Sequence, residues 1–87
     1  MALTDKEFND IIEALSRKWH KSFSETLRDL CTEAGLQFKL NLSTQEKKEV
    51  MKVVLEKQEA QSLIPQEKRE EIKRWIESKR GRRSGEG

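Results

Sequence analysis

From Leu36 to Leu42 the chain alternates apolar and polar residues over seven consecutive positions, Leu-Gln-Phe-Lys-Leu-Asn-Leu. A period of two is the signature of a strand with one buried face. A strand must pair its backbone donors and acceptors, and the 87 residues contain no second alternating run. Two arrangements meet that constraint. In one, the stretch pairs with a strand from another chain to form a ribbon. In the other, it is an extended connector whose apolar side chains plug a helical core. Phe38, Leu40 and Leu42 then face inward, and Gln37, Lys39 and Asn41 face out.

The segments on either side read as helix, with recognisable start signals. Thr4 with Glu7 forms a capping box, and Leu3 and Phe8 stand where a hydrophobic staple belongs. Phe8, Ile11, Ile12, Leu15 and Trp19 then recur on one helical face. Ser22 with Glu25 repeats the capping spacing and opens a second helix over Phe23 to Ala34, which Gly35 ends. Its inward face is Phe23, Leu27, Leu30, Cys31 and Ala34. The apolar spacing would also allow one continuous helix through Trp19, Phe23 and Leu27. The capping pair favours a break near Lys21-Ser22.

Ser43 or Thr44 caps a third helix, and Ser43 with Glu46 gives another box. Its buried stripe is short, Val50, Met51, Val54 and Leu55, so part of it is expected to be a solvated rod. Ile64-Pro65 ends it, because a residue before proline avoids the helical region. Pro65 suits the first position of a fourth helix, with Ile72, Trp75 and Ile76 inward and Glu70 paired to Arg74. Gly81 closes that helix. The expected fold is therefore mainly α: a small bundle of about four helices over residues 1–80. One short extended or β segment at 36–42 lies between the second and third helices, and 81–87 is a mobile basic tail.

Apolar residues make up 33% and charged residues 39%, which predicts a thin core that gains from a partner subunit. The longest apolar run, Val53-Val54-Leu55, is too short for a membrane span or a secretory leader. The single Cys31 forms no internal disulfide, so an intracellular setting, cytoplasmic or nuclear, is expected. Residues 1–34 carry five Lys/Arg against seven Asp/Glu, and residues 62–87 carry eight against five. The basic excess thus gathers at the C-terminal end, in Lys79, Arg80, Arg82 and Arg83.

Catalytic chemistry finds little purchase. The chain has one histidine, His20, and one cysteine, Cys31, and no phosphate loop or nucleophile elbow. A metal site needs three or four suitable ligands. Glu67, Glu70 and Glu71 read as a charged helix surface. We expect no catalytic residue, no metal, no cofactor and no small-molecule substrate. Trp19 and Trp75 lie among basic residues, in Arg17-Lys18-Trp19-His20-Lys21 and Lys73-Arg74-Trp75, a mixture that can stack on bases. Both also fall on an apolar face, which favours indoles in the core with Lys and Arg snorkelling outward.

Strand, capped helix, turn and second helix, with the stretch Phe38-Lys39-Leu40-Asn41-Leu42-Ser43, resembles the ribbon–helix–helix repressors over residues 36–80. That resemblance implies an obligate dimer in which Gln37, Lys39 and Asn41 read base edges in the major groove. The chain departs from the pattern in three places. The first turns of its third helix are polar, Gln61 to Pro65 lacks a small-residue turn, and two helices precede the strand.

The leading expectation is a small non-enzymatic adaptor, a regulatory module working through protein–protein contacts with another protein or with a second copy as a homodimer. Phe8, Ile12, Trp19 and Phe23 are its candidate anchors. The alternative is a DNA- or RNA-binding regulator. It would use Gln37, Lys39 and Asn41 of the ribbon, or Lys73, Arg74, Lys79, Arg80, Arg82 and Arg83 at the basic end.

Overall fold

The computed structural model describes residues 3–78 and forms five helices. They are α1 (Asp5–Trp19), α2 (Phe23–Glu33), α3 (Thr44–Leu55), α4 (Gln58–Leu63) and α5 (Gln66–Glu77). α1 packs on α2 and α4, while α3 packs on α2, α4 and α5. Among the described residues no helix is long and apolar enough to cross a membrane.

Each of the three capping boxes forms. In the first, Glu7 N–H donates to Thr4 Oγ1 at 3.1 Å and Thr4 N–H donates to Glu7 Oε1 at 3.0 Å. The Ser22–Glu25 and Ser43–Glu46 pairs make the same reciprocal bonds. Each box satisfies backbone donors that a helix start leaves without partners.

The break between α1 and α2 falls where the capping pair places it. His20 adopts the left-handed conformation at φ 57°. Lys21 N–H then donates to Ser16 O at 2.9 Å and His20 N–H to Arg17 O at 3.3 Å. Gly35, at φ 74°, ends α2 through the same closure, with Leu36 N–H donating to Cys31 O at 2.8 Å. Both ends are Schellman motifs, one built on glycine and one on histidine.

The core gathers Phe8, Ile12 and Leu15 of α1 with Leu27, Leu30 and Cys31 of α2. Leu42 of the connector, Val50, Met51 and Val54 of α3, Ala60 of α4, Ile64, and Ile72 and Trp75 of α5 complete it. Thr26 is fully buried and donates its hydroxyl to Ser22 O at 2.9 Å, so its polar group is satisfied.

The segment 36–42 forms no strand, and no strand occurs among the described residues. It is an irregular connector with a bend at Leu40-Asn41. Leu42 is buried and Leu36 and Phe38 pack against the core, whereas Leu40 is 67% exposed. The alternation fails at Leu40 because the bend needed to bring Leu42 onto the core turns Leu40 outward. Three of the four apolar side chains therefore act as the plug.

The third predicted helix also divides, at Glu56-Lys57, which makes the helix count five. A continuous helix would carry the buried stripe from Val54 onto Lys57, Gln58 and Gln61, all polar. The break resets the register, burying Ala60 and Ile64 and packing Leu63 on the core. No solvated rod remains. Pro65 serves as the N-cap of α5 rather than its first helical residue, and Ile64 is extended before it.

The expected Glu70–Arg74 pair does not form among the described residues, where Glu70 accepts from Gln66 Nε2 at 3.3 Å. α5 ends at Glu77, four residues before Gly81. Ser78 is extended, and its hydroxyl donates to Trp75 O at 2.7 Å. Lys48 Nζ donates to Ser78 O at 3.0 Å, so a cation from α3 meets the last turn of α5. Gly81, the Lys79–Arg83 run and the boundary between a domain at 1–80 and a tail at 81–87 lie outside the described residues.

Candidate functional site

The four candidate anchors separate into two pairs. Phe8 and Ile12 are buried among α1's core contacts and present almost no surface in the folded chain. Trp19 and Phe23 are half-buried on either side of the α1–α2 turn and packed against the core.

Trp19 has the more defined setting. It is the last residue of α1, because His20 turns the chain left-handed directly after it. Its Nε1–H donates to Glu59 Oε2 of α4 at 2.9 Å, which holds the indole in one orientation. That donation is the main reason the Glu59 carboxyl lies below the ordinary carboxylate range, with the Lys57 charge adding a smaller pull. Two ammonium groups stand over the ring, Lys21 Nζ at 5.9 Å and Lys57 Nζ at 5.8 Å from its centre. Lys21 is paired with Asp29, and Lys57 with Glu33 at 2.7 Å. The bond to Asp29 raises the Lys21 ammonium above its usual range.

Beside the indole lies a surface cleft of about 370 Å³, walled by Trp19 and Val53 and rimmed by Glu33, Glu56, Lys57, Gln58 and Glu59. The α3–α4 break builds it by bringing Lys57, Gln58 and Glu59 round to the end of α1. Glu33, Lys57 and Glu59 were not legible as site residues, since their partners stand 24 and 40 positions away. The only signal in the sequence was a tryptophan among cations.

Of the residues proposed to contact nucleic acid, five are described, three on the connector and two on α5. Gln37, Lys39 and Asn41 are exposed on the connector, with Leu40 exposed between them rather than turned to an opposite face. Lys39 pairs with Glu46 at 3.0 Å. Arg28 lies over the Phe38 ring at 5.2 Å, which leaves a cation rather than an open face above that aromatic. Lys73 and Arg74 are exposed on α5 and make no ion pair among the described residues. Lys79, Arg80, Arg82 and Arg83 lie outside the described residues.

His20 and Cys31 do not form a reactive pair in this geometry. His20 is an exposed turn residue, and Cys31 is fully buried within α2. Burial pushes the Cys31 thiol above its ordinary range, against a smaller opposing effect of the Lys39 backbone N–H. Among the described residues no three His, Cys, Asp or Glu side chains converge on one point. The arrangement around Trp19 brings together an aromatic face and charges of both signs, the elements of non-covalent recognition. The chain matches no family model, no curated protein and no solved structure in comparisons with known proteins.

Proposed function

We propose that this chain is a small non-enzymatic binding module acting through protein–protein contacts, with the Trp19 end of the bundle as its contact surface. The observation that carries the reading is the state of Trp19. Its ring is only half-buried, yet its orientation is held by the bond to Glu59 at 2.9 Å. Tryptophan in a fixed pose beside a cleft is the residue type that dominates interface energetics, because it offers a large contact area with little side-chain entropy left to lose. Phe23, across the turn, is also only partly buried and packs on the core.

A second reading has its own supporting observation. Lys73 and Arg74 lie exposed and without ion partners among the described residues, on the helix that leads towards Lys79, Arg80, Arg82 and Arg83. Exposed cations without ion partners suit a phosphate backbone, and such binding would fall steeply with salt. The ribbon version of the nucleic-acid reading has less support, because the connector has no strand geometry and its alternation fails at Leu40.

The two readings separate by crosslinking in the cells that make the chain. A photo-reactive phenylalanine derivative is placed at Gln58, on the cleft, at Lys73, on α5, or at exposed Glu13 as a control. The module reading expects discrete protein adducts from position 58 and none from position 13. Nucleic-acid adducts from position 73 alone would replace it with the second reading. Absence of specific adducts at positions 58 and 73 would remove both.

A further inference from the structure

The two cations on Trp19 are not equivalent. Lys21 reaches the ring from the helix end and is tied to Asp29, neither of them part of the cleft wall. Lys57 is itself part of the cleft, with its side chain only 22% exposed and its ammonium between the indole and Glu33. The cleft lining carries Glu33, Glu56 and Glu59 against that single ammonium, and with Lys18, whose charge also acts on Glu59, the local excess is one negative charge. Glu59 spends one oxygen on the indole, and Glu56 has no ion partner among the described residues.

An indole face with a surplus of carboxylates around it attracts cations: the ring quadrupole and the carboxylates act in the same direction. The chain already shows the preference by placing Lys57 there. We propose that the cleft is a docking site for a lysine or arginine side chain presented by a partner protein, and that Lys57 is an internal stand-in which that side chain displaces. The inference rests on the binding-module reading and names the chemistry of its partner. Displacement is easy to achieve, because Lys57 is held by a partly exposed ion pair and one cation–π contact, both individually weak. A displaced Lys57 ammonium returns to water, and the incoming cation meets Glu33 and Glu56 together.

The test uses the full chain labelled with ¹⁵N, whose two indole N–H signals belong to Trp19 and Trp75 and are told apart by Trp75→Phe. Acetylated tetra-lysine and tetra-arginine peptides are titrated in, with tetra-glutamate as control. The expected result is a saturable shift of the Trp19 signal with basic peptides only, while the Trp75 signal stays in place. Glu33→Gln combined with Glu56→Gln should weaken binding about tenfold. Lys57→Gln should tighten it several-fold, because the internal competitor is gone.

A Trp19 signal unmoved by basic peptides would overturn the proposal, as would weaker binding by the Lys57→Gln chain. Equal shifts of both indoles that survive the double glutamate change would show diffuse charge attraction and also overturn it. Protein adducts from position 58 together with an unmoved Trp19 signal would leave the module reading standing and remove the cation preference alone.

Discussion

Glu7 uses its two carboxylate oxygens for two different tasks. Oε1 accepts from the Thr4 backbone N–H at 3.0 Å and closes the capping box of α1. Oε2 accepts from Lys68 Nζ of α5, 61 positions along the chain. A local signal for starting a helix thereby becomes a tertiary link between α1 and α5. The Lys68 bond, followed by the Thr4 backbone bond, lowers the Glu7 carboxyl from 4.5 to about 2 and raises the Lys68 ammonium.

The linkage fixes a direction for acid sensitivity. Glu7 holds its proton more weakly in the folded state than in the unfolded one, so its contribution is complete above about pH 4.5. It is lost as the pH falls from there towards about 2. Glu46, lowered mainly by its bond from the Ser43 backbone, acts in the same direction. Urea midpoints measured between pH 7 and pH 2 should fall on the acid side. The Glu7→Gln chain should start lower at pH 7 and show a shallower fall. An unchanged slope would mean that the Glu7–Lys68 link does not persist in solution.

The two left-handed helix ends make a matched pair. His20 bears a side chain at φ 57°, where glycine is at ease, so His20→Gly should stabilise the chain by about 0.5–1 kcal/mol. Gly35→Ala is the converse. Its new Cβ would meet nothing within 4 Å, so the cost is backbone strain alone, about 1–2 kcal/mol. Thermal melts of both variants check the pair, and opposite signs are the expected outcome.

The connector gives a third expectation. Leu42→Ala should cost about 2–3 kcal/mol, near the lower end for a buried leucine, because the site lies at the core's edge. Phe38→Ser should also destabilise, since it removes a ring packed on the core. Leu40→Asn should shift stability by no more than about 0.5 kcal/mol. A large loss at Leu40 would show that it is covered in solution, by a second copy or by a rearranged connector.

α4 should open before the rest of the bundle. It has six residues and no side-chain cap, and it is held by buried Ala60 and the Trp19–Glu59 bond. Trp19→Phe removes that bond and keeps an aromatic ring. Amide exchange at Ala60 and Leu63 should then accelerate while core amides of α3 stay slow. Uniform acceleration throughout would show instead that Trp19 supports the whole fold.

Much of this architecture is visible in local residue order. Ser22 with Glu25 outweighed the continuous apolar spacing through Trp19, Phe23 and Leu27, because satisfying helix-start donors is a short-range requirement. The stripes Phe8-Ile12-Leu15 and Val50-Met51-Val54 likewise follow from helical spacing alone. The division at Glu56-Lys57 was hidden, since no glycine or proline marks it and its reason is the distant packing of Ala60 and Ile64. The alternation at 36–42 misled for a related cause. Its period describes a straight strand, whereas the bend at Leu40-Asn41 answers to the shape of the core beneath. Trp19's position on an apolar face was legible. Its partners Glu59, Lys57 and Glu33 were not, because charge pairing across folded space leaves no trace in spacing.

Cys31 offers a practical consequence. Its sulfur is fully enclosed and its thiol raised by that enclosure, so alkylating reagents find neither access nor thiolate in the closed molecule. With one cysteine in the sequence, each labelling event marks one opening of the α2 region. The chain thus carries its own chemical stopwatch, in which the rate of modification records how often the interior meets water.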